Sequence, residues 1–367
     1  MAAGCGEPEA TPTPPPPARP RVEILAPRSV ATRSSFDLAP FDDGAVLIWG
    51  SAARVSAVAV GPLGEVRGAD HVLSDRLAIE VTAIAEGSRI GAAWVAQESG
   101  REITLIAEAA FAPGGVDSFA PAFSLGPTEP VTPGRGRLAM ASTDDGALLV
   151  THRIPEGPCT GDPTGCARIA RDRIDVPGSA RGDDPLEVPT ACEPFVAGSV
   201  RSHGTWYSAL CHQEDGAPNT TVYAIRPSIS LAAATEVLPG CTPRSLVPTE
   251  TGAALIAMCP EGISLAWQDD VGRGLGSIRG ATFRTECTAG RPTLVAERET
   301  NSLRIALTAP VGRLEGMLPT VMAGEHARAV WTGSALLVAR HRAVGEGGEV
   351  ALARFECVGD ALMRTDL

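Results

Sequence analysis

An acidic or polar turn that runs straight into an aliphatic strand recurs along this chain, and that recurrence limits the fold more than any other feature. The best examples are FDDGAVLIW at 41–49, TDDGALLV at 143–150, TETGAALIAM at 249–258 and WTGSALLVA at 331–339. Aligned on the turn, seven candidate hairpins emerge, at Gly44, Gly87, Gly146, Gly204, Gly252, Asn301 and Gly333. Gly and Asn both tolerate the positive φ that tight hairpin turns demand. The flanking segments are short, apolar and partly alternating, as strands are.

Six steps separate Gly44 from Gly333, a mean period of about 48 residues, close to the length of four short strands with their turns. One such unit is a β-propeller blade. Helical repeats of similar period are disfavoured, since no long stripe at 3.6 spacing is present. Second strand pairs can be drawn after most hairpins, as RVSAVAVG (54–61) with EVRGADHVL (65–73), and GISLAWQ (262–268) with IRGATFR (278–284). After EVALARFECV (349–358) nine residues remain, too few for a comparable outer strand. RVEILA (21–26) is expected to supply it and close the ring, which also protects a sheet edge.

The expected architecture is therefore all-β, a propeller of seven four-stranded blades closed by the N-terminal strand. Residues 21–367 form a single propeller domain, and 1–20 form a Pro/Thr-rich tether. Six or eight blades, or tandem β-sandwiches, are the competing arrangements. The aligned segments resemble secreted bacterial propeller proteins in general. They lack the Trp-Asp strand endings and Gly-His signature of WD40 repeats and the paired glycines of kelch.

Nine cysteines occur and none forms a C-x-x-C pair, which argues against zinc ribbons and thioredoxin-like sites. Cys5 stands alone in the tail, and the other eight make an even set, expected as four disulfides in an oxidising compartment. Cys192 with Cys211 and Cys241 with Cys259 bracket consecutive hairpins at nearly equal spacing. Cys159 and Cys166 flank the turn-forming TGDPTG. Cys287 and Cys357 pair by elimination. The N-terminal AAGC resembles the end of a bacterial lipoprotein signal peptide, although the usual apolar core does not precede it. That resemblance implies lipidation at Cys5 and an exported, envelope-anchored protein, with 11–20 as an extended tether.

The net charge of −12 opposes nucleic acid and anionic membrane surfaces as partners, apart from the lipid anchor. Every basic residue is Arg, so Schiff-base lysines and P-loops are excluded. No H-E-x-x-H, G-x-S-x-G or complete G-x-G-x-x-G motif is present, and no cofactor is expected. STDDGALL (142–149) matches the Asp-box of sialidase-like propellers at Ser142, Asp144 and Gly146, with Leu149 where Trp belongs. Only Tyr207 and Tyr223 could serve as the tyrosine nucleophile of such enzymes. Paired acids at Asp42–Asp43, Asp144–Asp145, Asp183–Asp184 and Asp269–Asp270 read first as turn residues. RGD (181–183) reads as a chance tripeptide in a turn, and NTT (219–221) is a glycosylation sequon without a role in a bacterial source.

Extra length at 109–136, 154–167 and 172–194 reads as long loops crowding one face around blades 2 to 4, where binding usually resides. Arg153, Arg168, Arg171, Arg173 and Arg181 give this sector positive charge, with His152 and His212 nearby. His152, His212 and His341 fall just after second strands and read as solvent-facing loop residues. The expected function is a non-enzymatic binding module that docks a protein or glycan partner through this sector. A glycosidase-like hydrolase or a lyase with a site at the axial channel is the alternative, and a purely structural surface protein the third class.

Overall fold

The computed structural model of the protein describes residues 21–365 apart from 25–35, 42, 51–53, 77, 87–88, 99–100, 113–114, 120–121, 129–137, 143–147, 160–161, 177–178, 183–185, 189–190, 203–204, 215–216, 226–232, 307–325 and 345–346. Cys5 and the tether lie outside the described residues. Every regular element among those described is a β-strand. The first is β1 (Arg21–Ile24). Sheet 1 follows with β2 (Phe36–Phe41), β3 (Gly44–Gly50), β4 (Val55–Val60) and β5 (Val66–Ser74). Sheet 2 holds β6 (Ala78–Glu86), β7 (Arg89–Glu98), β8 (Arg101–Ala112), β9 (Gly115–Phe119) and β10 (Phe123–Thr128). Sheet 3 holds β11 (Leu138–Ser142), β12 (Leu148–Cys159), β13 (Asp162–Val176), β14 (Ser179–Gly182) and β15 (Leu186–Val188).

Sheet 4 is β16 (Ala191–Ser202), β17 (Thr205–Glu214), β18 (Ala217–Ile225) and β19 (Ala233–Val237). Sheet 5 is β20 (Thr242–Pro248), β21 (Gly252–Cys259), β22 (Gly262–Asp269) and β23 (Gly274–Ile278). Sheet 6 is β24 (Thr282–Thr288), β25 (Arg291–Arg298) and β26 (Asn301–Ala306). Sheet 7 is β27 (His326–Trp331), β28 (Leu336–Val344), β29 (Gly347–Val358) and β30 (Ala361–Thr365), joined by β1. Every pairing is antiparallel and sequential within its sheet, apart from those that split an outer position.

The sheets pack face to face in a cycle, which is the propeller arrangement. One apolar cluster joins sheets 7 and 1 through Val330, Leu337, Leu38 and Leu47. Others join sheets 1 and 2, sheets 2 and 3, and sheets 4 and 5. β11 packs on β16, bringing sheets 3 and 4 together. A cluster containing Ile256, Leu294 and Phe355 spans sheets 5, 6 and 7.

This packing explains the recurring motif. In sheets 1, 2 and 5 the described residues of the second strand, apart from Met258, are covered on both faces, so that strand reads as an apolar run. In β3 all seven residues are buried; Ala45, Leu47 and Trp49 face sheet 7, while Val46 and Ile48 face sheet 2. Burying Leu47 or Ile48 contributes about 2 kcal/mol each. The outer strand β5 is mostly exposed and correspondingly polar.

Several sequence expectations are corrected. The turn at Asn301 is not equivalent to the others, because it joins β25 to β26. The matching inner hairpin of sheet 6 is β24–β25, whose two-residue turn puts Ala289 and Gly290 at φ 50° and 75°. The segment 278–284 is not one strand. It holds the end of β23, a turn with Gly280 at positive φ and the start of β24. The C-terminal residues do form a strand: β30 covers Arg354–Val358 of β29, while β1 covers Gly348–Ala351 of the same edge. The N-terminal strand closes the sheet as expected, but shares the position.

The turn glycines also have a different cause at two positions. Only Gly333, at φ 95°, uses the left-handed region among the described turn positions. At Gly44 a Cβ would lie 2.0 Å from the carbonyl oxygen of Val60, and at Gly252 it would lie 2.1 Å from that of Gln268. Close approach of the neighbouring strand's backbone excludes a side chain at both.

Polar side chains clip neighbouring sheets together at the inner strands. Asp37 of β2 accepts hydrogen bonds from the backbone N–H of Ala83 (2.8 Å) and the hydroxyl of Thr82 (3.1 Å) on β6. Its other oxygen lies 3.2 Å from Nε of Arg328 on β27. Glu80 of β6 accepts from the N–H of Leu138 at the start of β11 (3.1 Å). One carboxylate thus spans three consecutive sheets.

Cys241–Cys259 and Cys287–Cys357 are disulfide-bonded, with Cα atoms 4.3 and 5.6 Å apart. Cys211 is also disulfide-bonded. The side chains of Cys159, Cys166 and Cys192 lie outside the described residues. These bridges point to an oxidising location. No helix among the described residues is long and apolar enough to cross a membrane.

Asp269 ends β22 and its carboxylate caps the turn that follows, where the paired-acid pattern implies a turn. Its carboxylate accepts from Val271 N–H (3.0 Å), Arg273 N–H (2.8 Å) and Arg273 Nε (2.8 Å). Burial opposes its charge, but the bonds from Arg273 and Val271 outweigh that and hold the carboxyl below the usual aspartate range. A depressed folded-state value stabilises above the unfolded value and is lost as pH falls through the folded one. Asp269→Asn is therefore expected to lower the urea midpoint at neutral pH. The difference from the parent shrinks only once pH drops below the ordinary aspartate range of about 4. A difference that grows on acidification would contradict this.

Candidate functional site

The described residues of 154–167 and 172–188 lie in strands of sheet 3, and 191–194 begin β16 of sheet 4, in place of the expected open loops. β12 and β13, of 12 and 15 residues, pair from Leu148↔Ile174 through Ile154↔Arg168 and continue past an irregularity to Cys159↔Asp162. The outer edge of β13 is shared by β14, against Asp172–Val176, and β15, against Ala167–Ile169. The insertion at 109–136 likewise lengthens β8 and adds β9 and β10.

Strand alternation sorts the seven predicted site residues into two groups. Val150 and Ile174 pack toward sheet 2 in one apolar cluster. His152 and Asp172 share their parity and so lie on that face, and Arg168 holds the same register parity with its side chain outside the described residues. Arg153, Arg171 and Arg173 have the opposite parity, and Arg181 joins them as the direct partner of Arg173. Their face is the one turned toward sheet 4, onto which β11 and β12 pack. On sheet 4, Tyr207, Ala209 and Val222 face sheet 5. Ser208 and Leu210 of β17, with Thr221 of β18, take the opposite parity, toward sheet 3. Register therefore sets positions 153, 171, 173 and 181 in one parity of sheet 3, of which the side chain of Arg173 is described and half-buried. It puts His152 elsewhere.

The expectation of solvent-facing loop histidines is corrected. All three lie within second strands: His152 in β12, His212 in β17 and His341 in β28. His152 is 1% exposed, and its Nε2 lies 2.6 Å from Oδ2 of the buried Asp172. This pair is a core element of sheet 3. The signal was present in LLVTHRI, where His152 shares the parity of Val150.

Other residues weighed from the sequence have structural partners. Tyr207 is fully buried and donates its hydroxyl to the carbonyl of Asp269 (2.6 Å). Thr205 and Thr235 reach the carbonyls of Asp270 and Gly272 in the same turn. Asp43 pairs with Arg67 beside the first hairpin. Asn219 of the NTT sequon is buried in β18 and accepts from the N–H of Gly240 (2.9 Å). Arg181 and Gly182 end β14, and Asp183 lies outside the described residues. Of the Asp-box match, Ser142 ends β11 and Leu149 is in β12; Asp144 and Gly146 lie outside the described residues. Among the described residues no group of three or more His, Cys, Asp or Glu comes together as a metal site.

No family model and no curated protein matches this sequence. Among solved structures, the chain is similar in fold to the polysaccharide lyase Uly1, at a TM-score of 0.50 and 8% identity, over 90% of this chain and 91% of that one. It is also similar to the β-propeller domain of the Trilobed protease from Pyrococcus furiosus, described as having an open velcro topology. There the TM-score is 0.47 at 11% identity, over 90% of this chain and 94% of the other. An acylaminoacyl peptidase from Pyrococcus horikoshii gives 0.46 at 10% identity, over 94% of this chain and 53% of that one. At these identities the likeness is one of fold alone.

Proposed function

We propose that the protein is an exported propeller that docks an anionic partner, protein or glycan, on sheet 3. In this reading the ring has seven blades, residues 21–367 are one domain, and the chain is held at the cell envelope by a lipid on Cys5. The observation that carries the docking site is the register of β13 and β14. Arg171 and Arg173 share one face, Arg181 stands directly opposite Arg173, and Arg153 lies on the same side of β12. This grouping of arginines suits an anionic partner, since guanidinium groups match carboxylate and phosphate. It also stands out on a chain of net charge −12.

Reversing the charge with Arg171→Glu and Arg173→Glu is expected to move elution from an anionic matrix to markedly lower salt. Unchanged retention would contradict the docking site. The second reading is a hydrolase or lyase at the axial mouth, where Asp37 and Glu80 bring carboxylates to the inner strands. Incubation with acidic polysaccharides separates the two readings, because turnover generates new chain ends and docking alone does not.

A further inference from the structure

We propose that one end of the propeller rests on a lipid bilayer, with aliphatic side chains of its outer hairpins set among the lipids; the proposal rests on the envelope-anchored reading above. Three observations carry it. The first is where apolar side chains break the surface. Among the described residues, eight large hydrophobic ones are at least 36% exposed. Six of them stand at one kind of turn, or within three residues of it: the turn that joins the third strand of a sheet to the next, outer strand. They are Leu63 and Val66 in sheet 1, Val271 and Leu275 in sheet 5, and Val358 and Met363 in sheet 7. A single exposed aliphatic residue needs no explanation, but a set repeated at equivalent positions marks an interaction surface.

The second observation is that these turns share one end of the molecule. Strands alternate in direction within each sheet, so the first and third turns of a sheet lie at the same end. Contacts between sheets fix their relative sense. The Cys287–Cys357 bridge joins the end of β24, beside the first turn of sheet 6, to the end of β29, beside the third turn of sheet 7. Thr205, which follows the first turn of sheet 4, donates to the carbonyl of Asp270 in the third turn of sheet 5. At the opposite end, Arg298 closes β25 and donates to the carbonyl of Arg279, in the link from sheet 5 to sheet 6. Gly50 and Ala78 also meet at that end, where a Cβ on Gly50 would lie 2.8 Å from the Cβ of Ala78. Radial repetition carries the same sense round the ring. Val72 and Met258, the two remaining exposed residues, lie toward the opposite end.

The third observation selects a bilayer as the occupant. β1 runs from Arg21, beside Ala351, to Ile24, beside Gly348, so its N-terminal end points toward the turn at Val358. Seven residues of β29 separate the level of Ala351 from Val358, roughly 23 Å. Cys5 stands 16 positions before Arg21, a reach of at most about 55 Å. A lipid on Cys5 can therefore enter a membrane that lies against this end. Charge selects the lipid class. Asp43, Glu65, Asp270 and Asp360 belong to turns at the same end, on a chain of net charge −12. Anionic headgroups would be repelled, so the surface is zwitterionic and the attraction is apolar.

The test is flotation of the full chain, carrying Cys5→Ser, with vesicles of phosphatidylcholine alone or mixed with phosphatidylglycerol. The chain is expected to float with phosphatidylcholine, and added phosphatidylglycerol to weaken that binding. Leu63→Asp with Val358→Asp is expected to lower the affinity at least about tenfold, and Val271→Asp with Leu275→Asp to do the same. Met258→Asp, at the opposite end, is expected to leave it unchanged. Circular dichroism checks folding, and the corresponding Ser variants are read where an Asp pair misfolds. No flotation with phosphatidylcholine, or an equal loss in Met258→Asp, overturns the proposal. Tighter binding to phosphatidylglycerol assigns the contact to arginines and overturns it as well. If sedimentation shows a dimer that the Asp pairs dissociate, this end joins two copies of the chain and the bilayer assignment falls. The two readings fail separately. An unmodified Cys5 in protein from its own cells removes the lipid anchor, whereas flotation of the Cys5→Ser chain reports the apolar turns alone.

Discussion

Replacing Cys287 and Cys357 together by alanine is expected to destabilise the protein by about 4 kcal/mol, the largest effect of any substitution considered. The bridge closes a 70-residue separation, against 18 for Cys241–Cys259. The entropy removed from the unfolded chain grows with the logarithm of that length, giving about 3 kcal/mol for the shorter loop. The native contacts act in the same direction. Cys287 is on β24, the inner strand of sheet 6, and Cys357 is on β29, the strand that carries both chain ends. The backbone N–H of Cys287 also donates to the carbonyl of Asp360 (3.0 Å) in the turn after β29. The bridge therefore fastens sheet 6 to the closing sheet. Urea denaturation of the two double variants measures the difference. A smaller loss for Cys287/Cys357 than for Cys241/Cys259 would show that this fastening is not where stability is held.

The second large effect is expected at Asp37. Its carboxylate receives two N–H groups, one hydroxyl and the guanidinium of Arg328, and the residue is 6% exposed. Asp37→Ala removes the acceptor from all four donors on three sheets. A buried N–H left without a partner costs 1–3 kcal/mol, and a mostly buried cation deprived of its carboxylate costs more, so a loss of about 3 kcal/mol is expected. Asp37→Asn retains an acceptor for one or two donors and loses only the charge, and is expected to restore about half. Chemical denaturation of both variants checks the order. If Asn proves as damaging as Ala, the pairing with Arg328, and not the clipping of β6, dominates.

The parts of this fold that were readable in the sequence are those where one physical demand acts alone. A second strand covered on both faces must be apolar throughout, so GAVLIWG, GAALIAMC and ALLVAR could be aligned without knowing their neighbours. Cys241 and Cys259 could be paired because hairpins of equal shape repeat their spacing. Sheet 6 was harder to place. Its inner strand TFRTECT is half exposed and polar, so the apolar signal falls on β25 alone and points to the turn after it, at Asn301. β30 was missed because ALMRT is short and exposed, and its place on β29 depends on sharing an edge with residues from the other end of the chain. Gly44 and Gly252 were recognised as turn residues for the wrong reason. The constraint is a neighbouring carbonyl, and no local pattern reports it.

The candidate site divides in the same way. Arginines at 171, 173 and 181 could be listed together from the sequence, but which of them share a face depends on strand register. His152 looked like a member of that group until alternation turned it toward Asp172 and the core.

The ring depends most on the polypeptide closing on itself, with β1 laid against β29. Val22 and Val350 are direct partners in that pairing. Their backbones should lie about 5 Å apart, within the span of a disulfide. Peptide mapping of oxidised Val22→Cys/Val350→Cys protein, purified as a monomer, is the most direct measurement. The expected result is an intramolecular 22–350 bridge in most molecules, with the native bridges intact. A monomer in which residue 22 stays a free thiol or bonds elsewhere would contradict the closed ring.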